Sequence, residues 1–374
     1  MKQNKFKSWL LATFLILLWA PIVQDNLHIF KGGALKGAYT LPDNVNFDFK
    51  IWFTRDYADK KDEYLSSCFG FRPDFVRLHN QLKYWAFKLA SSNNVIIGKE
   101  NYLYEQHYID EYFGTSFIGE EKIVQNVRDL KELQDSLSVR GIFMFTFFAP
   151  GKGSFYPEFI PNRAVKPKQP NTNYSAYIST CQKAGINYVD CKAWFMAMKD
   201  TSRYRLFPKG GVHWSYYGDM LAFDSLVHYV EGKTGKDLPD LKLDSIQVRF
   251  TPMKRDYDAG DGLNLIFPLF KDTLAYPHYS VNWKDKDQMA SLTIADSYYW
   301  EMYMSLAPQV FSEVNFWYYF NDFVSKNGHT ANKHDMKDFI CQHQVVCLMY
   351  TDAGLANFGS GFIQSALYQF KEKR

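Results

Sequence analysis

The chain has few of the features that announce a cofactor or a nucleic acid. Its 374 residues hold five cysteines, an odd number, with no C-x-x-C pair and no metal-ligand spacing. No phosphate-binding loop or dinucleotide fingerprint is present, so neither a cofactor nor a metal is expected. Charge is nearly balanced, 43 Lys+Arg against 40 Asp+Glu, for a net +3. That gives no polybasic signature and makes nucleic acid a poor partner. Internal repeats and low-complexity tracts are also absent. Apolar residues, by contrast, are plentiful at 47%, and aromatics reach 18%. Such a composition excludes a disordered chain, a collagen-like repeat and a disulfide-framework miniprotein. The length allows one large domain or two modest ones with a substantial core.

The amino terminus carries the clearest physical signal. Lys2, Lys5 and Lys7 precede an uncharged run from Ser8 to Gln24, and the next charge is Asp25. Seventeen residues lie at the lower edge for crossing a bilayer and slightly above a signal-peptide core. Pro21 follows Ala20 and disfavours cleavage there, so the segment reads as an uncleaved signal-anchor, with a cleaved signal peptide as the alternative. Either way the lysines stay cytoplasmic and everything after Asp25 is exported. Export permits disulfides; Cys181–Cys191 and Cys341–Cys347 are close in sequence, which does not establish pairing. The expected organisation is a transmembrane segment at 1–24, a tether at 25–64 punctuated by Gly32, Gly33, Gly37 and Pro42, and a folded domain at 65–374.

Hydrophobic spacing outlines that domain. A helix is expected over 71–90 with Phe75, Leu78, Leu82 and Trp85 on one side. VIIGKENYLY (95–104) reads as a hairpin turning at 98–101. Ile123, Val127, Leu130, Leu133 and Leu137 mark a helix over 119–139, and IFMFTFF (142–148) reads as a buried parallel strand. A helix near 174–184, the strand INYVD (186–190) and a helix over 214–232 follow. Residues 234–285 read as loops and short edge strands. Beyond them come a strand at 289–295, a helix at 297–306, strands at 313–320 and 344–350, and a terminal helix at 361–372 packed through Ile363, Leu367 and Phe370. Alternating strands and helices predict an α/β fold: a mostly parallel sheet with helices on both faces.

In such sheets reactive groups collect at the carboxyl ends of the strands. Two motifs fall there. In TIADSYYW (293–300), Ser297 follows a strand and opens a helix, where backbone N–H groups can hold an oxyanion. Asp296 or Ser297 reads equally as a helix N-cap. In PKGGVHWSYYGDM (208–220), His213 sits in a glycine-bearing loop and is a candidate general base, although a lone His is more often structural. Together they supply a nucleophile and the base it needs.

With these residues in view, the chain resembles the SGNH-hydrolase-like proteins of bacterial polysaccharide O-acetylation, the alginate O-acetyltransferase group. FRPDFVRLHNQLKYWAF with VIIGKENYLYEQHYI, the loop FFAPGKGSFYPEFIP, GVHWSYYG and TIADSYYW resemble that family's phrases, in its order and over roughly residues 65–365. The resemblance implies an SGNH-hydrolase-like, flavodoxin-like sheet with a permuted His-before-Ser order, Ser297 as acyl-accepting nucleophile and His213 as its base. It further implies a polysaccharide acceptor and an acetyl group delivered by a polytopic membrane-bound O-acyltransferase. The expected location is the inner membrane, single-pass, with the domain on the periplasmic side. Family members place an Asp two residues before the His; this chain has Gly211. Asp190 at a strand end or Asp219 in the following helix is expected to substitute, or a backbone carbonyl orients His213, or the protein is catalytically weak. Lys152, Ser154, Trp214, Tyr216, Tyr217, Tyr298 and Tyr299 are candidate pocket residues, with Tyr298 and Tyr299 equally open to packing against the sheet. A carbohydrate esterase using the same residues, and a non-catalytic glycan-binding subunit of an export complex, remain alternatives.

Overall fold

In the computed structural model, residues 2–30, 32–37, 41–269, 272–325 and 336–372 are described. Position 1 of the expected transmembrane segment and positions 31 and 38–40 of the expected tether lie outside them, as do 270–271, 326–335 and 373–374 of the expected domain. The chain divides into two compact units, 1–93 with 260–269, and 94–259 with 270–374.

The first unit holds three helices. Helix α1 (Lys2–Leu27) contains the apolar stretch Lys5–Leu27, long and apolar enough to cross a membrane. Helix α2 (Arg55–Cys68) starts inside the segment read as tether, because Thr54 caps it by accepting the Tyr57 N–H. Helix α3 (Arg72–Phe87) matches the expected helix, and its apolar side is not the buried one. Asn80, Gln81 and Tyr84 are buried, whereas Phe75, Leu78, Leu82 and Trp85 stand exposed. Asn80 and Gln81 reach backbone groups of the 260–269 segment, at Leu263 O (2.9 Å) and Phe267 N (3.0 Å). Periodicity placed the apolar stripe correctly on one face but could not say what covers it.

The second unit opens with the expected hairpin, β1 (Val95–Ile97) against β2 (Leu103–Glu105), then α4 (Gln106–Phe113) and α5 (Glu120–Ser138). Strand β3 (Phe143–Ala149) leads through the short α6 (Lys152–Phe155) to α7 (Asn173–Ala184). Helix α7 has a Thr172/Ser175 capping box and is closed by Gly185 at φ 68°. Next come β4 (Tyr188–Asp190) and α8 (Cys191–Met198), a helix not expected from the sequence. Helix α9 (Tyr216–Thr234) is capped by Ser215. The region expected to be loops and short edge strands instead holds two long strands, β5 (Leu241–Arg249) and, beyond the short α10 (Asp258–Gly262), β6 (Leu274–Val281). They pair antiparallel as a separate ribbon with an irregularity between Leu243 and Ser245. Strand β7 (Ala290–Ala295) follows. The expected helix at 297–306 is a 3-10 turn at Ser297–Tyr299 and a π-helical turn at Met302–Leu306 before α11 (Ala307–Val310). Strands β8 (Glu313–Tyr318) and β9 (Asp322–Ser325), helix α12 (Met336–Ile340), β10 (Val345–Thr351) and α13 (Phe362–Glu372) complete the unit.

Six strands form the main sheet in the order β4-β3-β10-β7-β8-β9, parallel except for β9. Alternate side chains go to opposite faces. Met144, Phe148, Leu292, Ile294, Val346 and Leu348 join a core with α5, α7 and α13. On the other face, Phe143 and Phe145 meet Tyr229 of α9 at ring distances of 6.1 and 5.5 Å. Both faces are therefore covered, as the continuous apolar strands require. The register pairs Ala295 with Met349, Thr351 with Ala149 and Phe148 with Asp190. The loops after β4, β3, β10 and β7 thus emerge along one edge, and the chemistry-bearing residues lie on it.

Candidate active site

Ser297 leaves β7 at that edge. The turn carrying it is locked by its neighbour: buried Asp296 accepts the Tyr298 N–H (3.0 Å), the Thr351 N–H (2.7 Å) and the Thr351 hydroxyl (2.8 Å). Burial raises the Asp296 carboxyl above its ordinary value, with these bonds opposing. Asp296 is thus the N-cap. Ser297 is left free to use its hydroxyl elsewhere.

That hydroxyl meets His213: Ser297 Oγ lies 2.9 Å from His213 Nε2. The other ring nitrogen, Nδ1, is 2.8 Å from Oδ2 of Asp258. Asp258 was not among the acids expected from the sequence. It stands 45 residues beyond His213, at the start of α10, in a segment whose scattered Asp and Gly gave no spacing signal. The two expected acids are engaged elsewhere. Asp190 accepts the Tyr174 hydroxyl at 2.8 and 2.9 Å and caps α8 through Ala193 N. Asp219 faces Arg255 at 3.1 Å. No backbone carbonyl takes the orienting place either, because Nδ1 is bound by a carboxylate.

Gly211 explains why the acid comes from a distance. A Cβ at this position would lie 2.5 Å from the Arg255 carbonyl oxygen and 3.1 Å from the Asp256 carbonyl carbon. Any side chain there, aspartate included, would push away the 255–258 backbone. Glycine lets that backbone close in, and Asp258 arrives with it. Its second oxygen accepts the N–H of Val212 (3.0 Å) and of Ala259 (2.6 Å), tying the acid to the histidine loop itself.

The loop is pinned along its length. Asp272 accepts the Lys209 N–H at 2.7 Å, and the Tyr298 hydroxyl donates to Val212 O at 2.8 Å. Lys152, expected to line a pocket, is fully buried and donates to Lys209 O (2.7 Å) and Gly211 O (2.6 Å). Burial pushes its amine down to about 7, against the pull of Asp258, Asp272 and Asp256. The remaining candidates divide similarly. Trp214, Tyr298 and Tyr299 are buried, and the Tyr298 ring centroid lies 4.9 Å from that of His213. Tyr299 packs on Phe316 at 5.1 Å. Tyr216 meets Arg255 and Tyr276, Tyr217 meets Tyr204, and Ser154 accepts from Lys192 at 3.2 Å. Lys152 and Tyr298 thus hold the loop that carries His213.

Arg255 and Asp219 form a further layer. Arg255 precedes Asp258 by three residues, and its guanidinium lies between Asp219 (3.1 Å) and Glu301 (3.8 Å). Burial lifts Asp219 to about 6 and Asp256 to about 7, with Arg255 opposing in both. Among the described residues no group of three or more His, Cys, Asp or Glu could hold a metal, and all five cysteines are free. A cavity of about 380 Å³ lined by Phe143, Asn187, Met289 and Gln344 opens at the strands' amino ends, the opposite edge from Ser297.

Residues 95–276, just under half of the chain, match the family model described as ALGX, SGNH hydrolase-like domain, acetyltransferase AlgX. The fold is SGNH hydrolase-like, and the matched segment resembles a domain described as that of an acetyltransferase. It includes His213 and Asp258; Ser297 lies beyond it. Among solved structures, the O-acetyltransferase domain of Pseudomonas putida AlgJ aligns at 16% identity and a TM-score of 0.48, over 75% of this chain and 100% of that one. Bacillus cereus PatB1 aligns at 12% and 0.42, over 63% and 91%. Pseudomonas aeruginosa AlgX aligns at 13% and 0.43, over 74% and 69%. No curated protein matches the chain.

Proposed function

Proceeding from an acetyltransferase-type SGNH hydrolase-like domain, we propose that this protein is a membrane-anchored, exported O-acetyltransferase acting on a polysaccharide through a Ser297 acetyl-enzyme. The observation that carries the reading is the chain of contacts Ser297–His213–Asp258, at 2.9 and 2.8 Å. Ser297 Oγ attacks the acetyl carbonyl of the donor and passes its proton to His213 Nε2. The tetrahedral intermediate collapses as His213 protonates the leaving oxygen, leaving acetyl on Ser297. A sugar hydroxyl then attacks that ester, gives its proton to His213, and departs acetylated while Ser297 recovers its proton. Asp258 holds Nδ1–H, so Nε2 is the basic nitrogen, and its charge stabilises the imidazolium formed in both half-reactions.

The resemblance supplies the rest of the setting. Helix α1 serves as an inner-membrane anchor with the domain on the periplasmic side. A polytopic membrane-bound O-acyltransferase serves as acetyl source. The ground for a non-catalytic reading was Gly211, and the 2.8 Å contact from Asp258 to His213 supports a working site in its place. The test is to give the purified full chain, in detergent, an activated acetyl ester and an oligosaccharide. Acetyl joined to sugar, and lost with Ser297→Ala, is the expected result. Acetate release alone would make the protein an esterase. No turnover in the parent protein would return it to the non-catalytic class.

A further inference from the structure

Helix α3 is turned inside out. Its buried side chains include Asn80 and Gln81, whereas Phe75, Leu78, Leu82 and Trp85 are each 45–55% exposed. Spacings of three, four and three residues put all four on one stripe. Trp85 stacks on Phe267 at 6.0 Å and Phe75 meets Phe69 and Phe71, yet all four stay about half exposed, and a stripe this apolar is not left to water without a further partner. Its start lies against the end of α1: a Cβ on Gly70 would meet Pro21 O at 2.2 Å and Gln24 Cβ at 2.9 Å, and the Phe30 and Phe71 rings are 5.7 Å apart. The apolar stretch of α1 spans 23 residues. At ~1.5 Å per residue that is about 35 Å, enough to cross a hydrocarbon core of about 30 Å. The contact with Pro21 and Gln24 therefore sets the start of α3 at the level where α1 leaves the membrane.

We propose that α3 is an interfacial helix, lying along the lipid surface with Phe75, Leu78, Leu82 and Trp85 among the upper acyl chains and headgroups. The inference rests on the reading of α1 as an anchor. Helix α3 has 16 residues and carries Arg77, Lys83 and His79, so it is too short and too polar to span and suited to lie flat. Lys83 follows Leu82 near the far end of the stripe, where its long side chain can reach anionic phosphates, and Lys88 caps the helix with its Nζ over the Tyr84 ring. An aromatic at Trp85 suits the same depth. This continuity with α1, together with the flanking cations, favours lipid over a protein partner. The surface then holds the exported chain at two places rather than one.

The test uses the full chain in phosphatidylethanolamine–phosphatidylglycerol vesicles, with the photoreactive residue p-benzoylphenylalanine replacing Phe14, Leu82 or Glu121 in turn. Lipid adducts are expected at 14 and 82 in comparable yield, and none at 121. Adducts at 14 without adducts at 82 would overturn the interfacial helix alone. Failure at 14 would overturn the anchor reading and this inference with it. Capture of a protein rather than lipid at 82 in native membranes would also overturn the proposal. As a second variant, Leu78→Glu with Trp85→Glu is expected to abolish the adduct at 82 while leaving ester turnover in detergent unchanged; an adduct that survives would count against it.

Discussion

Replacing Asp258 by Asn probes the most unexpected member of the site. The new side chain would keep an oxygen for the Val212 and Ala259 N–H groups, which Asp258 now serves at 3.0 and 2.6 Å, so the loop geometry should survive. Facing His213, however, would be an amide NH₂. It would donate to Nδ1 and force the proton onto Nε2, the nitrogen that has to accept the Ser297 proton. The charge is lost as well. Two unit charges about 4 Å apart interact by about 4 kcal/mol at an effective dielectric near 20. The His213 and Asp258 side chains are 17% and 30% exposed, and solvent screening reduces the benefit to about 2–3 kcal/mol. At ~1.4 kcal/mol per factor of ten, that alone is about 30- to 200-fold in rate, and the wrong tautomer adds to it. Hydrolysis of p-nitrophenyl acetate gives kcat/KM directly. Asp258→Ala should regain activity with added formate, whereas Asp258→Asn should not, because its amide fills the place. Gly211→Asp should not rescue Asp258→Asn, since its Cβ would meet Arg255 O at 2.5 Å. An Asp258→Asn protein within about threefold of the parent would refute the reasoning.

Other outcomes follow from the same geometry. Asp219→Ala removes the partner 3.1 Å from buried Arg255. It should cost ~3–5 kcal/mol in chemical denaturation and lower kcat with little change in KM, because Arg255 sits on the segment carrying Asp258. Stability should depend on pH through buried Asp256, Asp219 and Lys152; Asp219, raised to about 6, adds to the limb set by Asp256. Asp256 is raised from 3.8 to about 7, so the folded state keeps a proton that the unfolded chain has lost, and stability falls as pH rises from about 4 to 7. Lys152 is lowered from 10.5 to about 7, so the unfolded chain holds the extra proton, and stability rises from about pH 7 to 10.5. Thermal melting should show Asp256→Asn reducing the first limb, leaving the part due to Asp219, and Lys152→Met flattening the second; an unchanged profile in both would contradict the burial argument. Leu348→Ala, in the buried strand β10, should cost about 2–5 kcal/mol by the same denaturation measurement.

The sheet was legible because its strands are apolar runs bounded by helices with clear spacing. All five apolar positions expected in α5 are buried, as are Ile363, Leu367 and Phe370 of α13. Strands β5 and β6 were expected only as short edge strands, because β5 is largely exposed and only the first three residues of β6 are buried. The encounter of Ser297 with His213 could be expected from chemistry: each motif ends at a strand edge, and each needs the other. Asp258 could not, because it reaches His213 by a close backbone approach at Gly211, and no sequence spacing records such an approach. Lys152 shows the converse limit. Its place in a Pro- and Gly-bearing loop suggested an exposed pocket residue. Two backbone carbonyls waiting in the interior drew it inward instead.

The central claim is that one serine carries the acyl group. The full chain, mixed with p-nitrophenyl acetate, acid-quenched within the first turnover and digested, should yield the peptide bearing Ser297 with one added acetyl. That modification should vanish in Ser297→Ala and slow sharply in His213→Ala. Turnover that leaves Ser297 unmodified, or acetylation at another residue that persists in Ser297→Ala, would contradict the account.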